Sequence, residues 1–226
     1  MTPPISGGRL RRLLAGELEA LIALATGLSE NDLVQPSGCE GWRVAELLAH
    51  LRADAEGLLI GLGGRTESPA DRDFVSYWRD WPPEGPATFT GVRFYWAQAA
   101  SYPSPEGLVG HLSEVAKAAI GACLDARDGR VTFQEHVCEV DDFLAMWVVE
   151  FALHHLDLLV AVPDRPGPPD DALELAATTL DAVIGGERPA FWDRSTYVLK
   201  GSGRATLTAE EGELLGPAAH GYPAFG

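Results

Sequence analysis

At 226 residues, with 46% hydrophobic and 22% charged side chains, the chain can bury a core and lies far from the composition of disordered proteins. That length suits one large domain, or a domain of about 150 residues with a smaller appendage. A formal charge of -16 opposes polyanionic partners such as nucleic acid and anionic membranes, which require clustered Lys and Arg, and is otherwise the ordinary acidity of a well-solvated protein.

The first segment carries Leu10, Leu13, Leu14, Leu18, Leu21, Ile22 and Leu24 at helical spacing, which predicts a helix of about 18 residues ending near Gly27. Glu17 and Glu19 interrupt its apolar run, so it is not a signal-peptide core. Val44, Leu47, Leu48, Leu51, Leu58 and Leu59 predict a second helix over 43–62 that carries His50. Residues 63–86 are rich in Gly, Pro and Asp and read as a long irregular connection. Tyr77, Trp78 and Trp81 there, with Phe94, Tyr95 and Trp96 beyond, suit a pocket wall or core packing equally well.

Helical patterns resume at 87–101 and from an N-cap at Ser104 to about Asp125. Residues 131–139 alternate as extended chain, and then Asp141 or Asp142 caps a helix so apolar all round that it must be central. Glu150 and His154 lie within it. The proline-rich stretch 163–170 predicts a boundary, dividing the chain into 1–163 and 164–226. In the tail, 171–186 reads as a helix, while STYVLK and RATLTA flank Gly201-Ser202-Gly203 as a hairpin would.

No segment has the 18 or so apolar residues of a membrane span, since the run at 158–162 stops at Pro163. Cys39, Cys123 and Cys138 are widely spaced, without a C-x-x-C pair, which fits a reducing cytoplasm rather than a disulfide framework. Lys117 and Lys200 are the only lysines, an arginine-biased usage like that of a GC-rich, actinobacterial genome.

Glu150 and His154, four residues apart, leave one helix face and can reach one ion. A carboxylate on so apolar a helix is costly unless a cation meets it, and a divalent metal supplies that charge. His50, among the leucines of the second helix, is the third candidate; His, Glu and His would leave a coordination position open, as catalytic zinc sites do. Nickel, iron or manganese also accept such ligands. From spacing alone, the commoner reading of a histidine in an apolar helix is a core residue bonded to a backbone carbonyl. His155 points about 100° away from His154 and reads as packed or bonded elsewhere, and Cys39 and Trp42 read as packing at a helix entrance.

The segment PSGCEGWRVAELLAHL, through Cys39, Gly41, Trp42, Val44, Leu47, Leu48, His50 and Leu51, resembles a signature of the mycothiol-dependent maleylpyruvate isomerase family, within the DinB/YfiT-like metalloenzymes. A second signature is matched by Glu150, His154, His155 and Asp157. The resemblance implies a mainly α chain, an up-down-up-down four-helix bundle with a small C-terminal α+β appendage. It implies a metal, zinc first, on His50, Glu150 and His154, and mycothiol as a thiol cofactor. The implied chemistry is that of a thiol transferase or S-conjugate isomerase, in which the metal presents a thiolate to a small electrophile. Asp157 would then accept a hydrogen bond from a ligating histidine, or be a plain helix-surface residue. The family also implies a catalytic arginine from the C-terminal segment, but this tail is short and neither Arg194 nor Arg204 aligns securely to that position.

The other readings are a hydrolase using metal-bound water, with Asp157 or Glu46 as base, and a binding protein without turnover. The expected state is a cytoplasmic monomer or homodimer.

Overall fold

The computed structural model describes residues 3–80 and 89–225. Four helices of twenty residues each make its frame: α1 (Gly7–Thr26), α3 (Val44–Gly63), α6 (Pro105–Leu124) and α7 (Val140–Leu159). Both α1 and α3 pack on α6 and on α7, closing a four-membered ring around leucine-rich faces. Leu10, Leu14, Leu18, Leu47, Leu48, Leu51 and Leu58 are fully buried there, the i, i+3, i+4 pattern that drives amphipathic helices together. Between α1 and α3 lies the single-turn α2 (Glu30–Leu33), closed by a capping box between Ser29 and Asp32.

The central position expected for α7 is observed: from Val140 to Leu158 every residue but Asp141 and Glu150 is buried. Its N-cap, however, is Glu139, and the two aspartates expected to cap it stand in the first turn. Each satisfies another element's backbone instead. Asp141 accepts from the N–H of Gly7 at 2.8 Å, and Asp142 from that of Phe74 at 3.3 Å.

The connection after α3 is less irregular than its composition predicts. It holds β1 (Arg65–Thr66) and a helix, α4 (Phe74–Asp80), whose Phe74, Val75 and Trp78 are buried. Trp81 lies outside the described residues. After α5 (Phe89–Ala100) and α6, strands β2 (Arg130–Phe133) and β3 (His136–Glu139) form a hairpin, with β1 on its outer edge in antiparallel order β1-β2-β3. Gln134 and Glu135 turn it with φ of 47° and 67°, the left-handed pair that a two-residue hairpin turn requires.

The expected hairpin in the tail is not formed, and among its described residues the α+β appendage holds helices and no strand. It consists of α8 (Asp170–Ile184), α9 (Arg194–Gly201), α10 (Ala209–Leu215) and a 3-10 turn (Gly216–Gly221). Asp193 is the reason. Its carboxylate accepts from the N–H of Thr196 at 2.7 Å, nucleating a helix through a segment whose Thr, Tyr and Val favour strand. Tyr197, Val198 and Gly201 then face inward, and a Cβ on Gly201 would come within 2.7 Å of Leu180. The core is continuous across the proline-rich link, because Ala172, Leu175, Ala176 and Leu180 join the same buried cluster as the bundle. Among the described residues no helix is long and apolar enough to cross a membrane.

Candidate metal centre

Helix α3 presents His50 and, one turn on, Asp54; helix α7 presents Glu150 and, one turn on, His154. Where the two helices meet, these four side chains converge, with one donor atom from each lying within 4.8 Å of all the others. The Nε2 atoms of His50 and His154 are 2.9 Å apart. Glu150 Oε1 lies 3.1 Å from His154 Nε2 and 3.6 Å from His50 Nε2, and Asp54 Oδ2 lies 3.2 Å from His50 Nε2. The three side chains expected from the sequence are therefore brought together. Asp54 is an addition that the sequence reading missed, although H-x-x-x-D mirrors E-x-x-x-H.

Among the described residues, neither Asp54 nor Glu150 is bonded by a lysine or arginine. Burial pushes Asp54 up to about 6 against the pull of His50, whereas Glu150, also opposed by burial, is held low by the two imidazoles. Burial likewise disfavours a charged His154, yet Glu150, Cys39 and Asp157 outweigh it and raise the imidazole well above its usual value. Two carboxylates and two imidazole nitrogens thus share one largely buried spot, where a divalent cation would supply the missing positive charge. The residues present fit a metal.

The far side of His154 is held just as closely. Its Nδ1–H donates to Asp157 Oδ2 at 2.9 Å, which turns Nε2 towards the cluster, where an ion would displace the proton held beside Glu150. Asp157 is in turn gripped by Arg204, whose Nε lies 3.0 and 3.1 Å from the two carboxylate oxygens. Burial opposes the Asp157 charge, but Arg204 and His154 prevail and hold the carboxyl down at about 2. Of the two tail arginines, then, Arg204 reaches the site, while Arg194 pairs with Glu174 at 2.7 Å on the tail itself. Cys39 is more than packing: its Sγ is 3.3 Å from Asp157 Oδ2 and 3.6 Å from His154 Nδ1, and burial keeps it a thiol. Cys39, His154 and Asp157 also approach metal-binding geometry, but Arg204 already neutralises that carboxylate.

Aromatic rings fix His50. Trp42 and Tyr95 stand 5.0 and 4.9 Å from its ring, and 4.9 Å from each other. Trp42 and Cys39 also line a surface depression of about 610 Å³ formed by the segment from Val34 to Arg43. Of the other aromatic residues considered, Trp78 is in the core against Phe225, and Phe94 and Trp96 are exposed. His155 is turned away, as expected, with Nδ1 2.8 Å from Glu17 Oε1 and Nε2 3.1 Å from the carbonyl of Pro166. Glu46 is spent on its helix start, accepting from the N–H of Arg43 at 2.7 Å.

Two solved structures are similar to this chain: a crystal structure of the mycothiol-dependent maleylpyruvate isomerase, at 16% identity, and one of its histidine-to-alanine mutant, at 15%. Each match has a TM-score of 0.49 and covers 76% of this chain and 67% of the other. No curated protein matches. The family model of the mycothiol maleylpyruvate isomerase N-terminal domain matches residues 14–159, a stretch that holds His50, Asp54, Glu150, His154 and Asp157 but not Arg204. With more than half its length so matched, the chain belongs to the mycothiol maleylpyruvate isomerase N-terminal domain family.

Proposed function

We propose that this protein is a metal-dependent, mycothiol-using enzyme, an S-transferase or S-conjugate isomerase acting on a small electrophile, with the metal held by His50, Glu150 and His154. The observation that carries the reading is the pair of imidazole Nε2 atoms 2.9 Å apart beside Glu150 Oε1, in a site that no lysine or arginine neutralises among the described residues. Membership of the family supplies the thiol. A divalent ion there, zinc first by ligand type, provides Lewis acidity that lowers the pKa of a thiol brought to it.

The chain's own residues do the rest. Asp157 accepts a hydrogen bond from the Nδ1–H of His154 and so presents the opposite nitrogen to the metal; Arg204 holds Asp157 in that role. Trp42 and Tyr95 orient the ring of His50, and the depression beside Trp42 and Cys39 offers the cofactor an approach. A hydrolase would need a free general base, and neither carboxylate considered for that work is free: Asp157 is bound by Arg204 and His154, and Glu46 by its helix cap.

The test is elemental analysis of the purified protein with turnover assays with and without mycothiol. A bound divalent metal, and activity that disappears when the thiol is omitted, is the expected result. Full metal content in His154→Ala, or turnover indifferent to thiol, would overturn the proposal.

A further inference from the structure

We propose that Asp54 is a fourth protein donor to the ion held by His50, Glu150 and His154, an inference that rests on the ligand assignment above. Its ground is the proton count at the cluster. The Asp54 Oδ2 atom is buried, and its near neighbour is His50 Nε2 at 3.2 Å. That nitrogen also faces His154 Nε2 at 2.9 Å and Glu150 Oε1 at 3.6 Å, yet a neutral imidazole has at most one proton there to give.

Once His50 Nε2 directs its lone pair at an ion, it has no proton left for Asp54. A carboxylate orienting a ligating histidine must bind the other ring nitrogen, as Asp157 does for His154. Asp54 is on the ligating side. It would therefore be left without a donor, in a side chain only 12% exposed, unless it binds the same ion.

The geometry allows it. Bonds of about 2 Å place the donors around one ion about 3 to 4 Å apart, and the four donor atoms here lie within 4.8 Å of one another. The site is then built from two matching halves. Each helix supplies one imidazole and one carboxylate, four residues apart. Such a set carries two negative charges and neutralises a divalent ion, and its oxygen content suits manganese, iron or nickel as well as zinc. With four positions supplied by protein, the site would offer a thiol a fifth position, instead of the one vacancy of a three-ligand site.

Cobalt(II) is the probe, because its visible absorption reports donor number and its affinity can be read by competition with a chelator. Wild type, Asp54→Asn and His154→Ala are titrated after apo melting curves establish that each is folded; if Asn prevents folding, Asp54→Ser takes its place. Asp54→Asn is expected to weaken cobalt binding about 10- to 100-fold and alter the visible bands, with His154→Ala losing the complex. Wild-type affinity and bands in Asp54→Asn, while His154→Ala binds nothing, would overturn the fourth donor and leave the three-ligand assignment standing. Unchanged binding in His154→Ala would overturn both.

Discussion

Arg204 grips both carboxylate oxygens of Asp157, Nε at 3.0 and 3.1 Å and a terminal nitrogen 3.0 Å from Oδ2. The contact joins the C-terminal segment to α7 directly behind His154. Asp157 is 2% exposed and Arg204 14%, so removing the arginine strands a buried charge. Arg204→Gln should lower stability by about 3–5 kcal/mol in urea titrations. Through the loosened His154, it should also weaken metal binding by about 10- to 100-fold. Arg204→Lys keeps the charge but not the planar fork, and should fall between the two. Unaltered metal affinity in Arg204→Gln would show that the pair only fastens the tail.

Two adjacent histidines are expected to respond in opposite ways. His155 shares a site with Glu17 that is sealed on both sides, at 1% and 0% exposure, and binds the carbonyl of Pro166 as well. His155→Ala should cost about 3–5 kcal/mol while the folded protein retains its metal. His154→Ala should lose the metal. Melting curves paired with metal analysis separate the two, and metal loss in folded His155→Ala would contradict the assignment.

Gly38 packs against the helix that carries the donors. Its N–H donates to the Asp157 carbonyl at 2.9 Å, and a Cβ there would stand 2.5 Å from Asp157 Oδ1 and 2.8 Å from its Cα. Backbone cannot yield as a flexible side chain would, so Gly38→Ala should destabilise by about 1–3 kcal/mol and weaken metal binding. Gly16, in the middle of α1 with nothing within 4 Å of an added Cβ, is the control. Gly16→Ala should stabilise by about 0.5–1 kcal/mol.

Asp142 carries a pH signature remote from the cluster. Burial pushes its carboxyl up to about 6 from an ordinary 3.8, against the hydrogen bond from the N–H of Phe74. The folded protein therefore holds that proton more tightly than the unfolded chain does. The resulting stabilisation is complete below pH 3.8 and is lost as pH rises through about 6. A shift of two units is on the order of 3 kcal/mol. Asp142→Asn, which keeps an acceptor for Phe74, should raise the melting temperature at pH 7 and scarcely change it at pH 4. Equal effects at both pH values would exclude this linkage.

The long helices were legible because leucine spacing reports a buried stripe wherever partners exist to bury it. Ser104, for instance, caps α6 as expected, its hydroxyl 3.4 Å from the N–H of Gly107. Convergence of His50 with Glu150 and His154 was also foreseeable, since two of the three share one helix face. Asp54 was not, because among Arg52, Ala53 and Glu56 nothing local distinguishes a carboxylate turned inward from a solvated one. Its burial is decided by α7, about a hundred residues away. Arg204 was obscured differently: the segment before it was read as a strand, and only the Asp193 cap turns that segment into a helix that delivers the arginine to Asp157.

The cluster draws one pair of side chains from residues 50 and 54 and the other from residues 150 and 154, so each half belongs to a single turn of helix. An ion spanning them fastens two distant points of the polypeptide and closes a loop on the order of 100 residues, as a covalent cross-link would. Unlike a covalent link it does not persist once the chain opens, so its benefit falls on the native state by mass action, and unfolding of the loaded protein should begin with release of the ion.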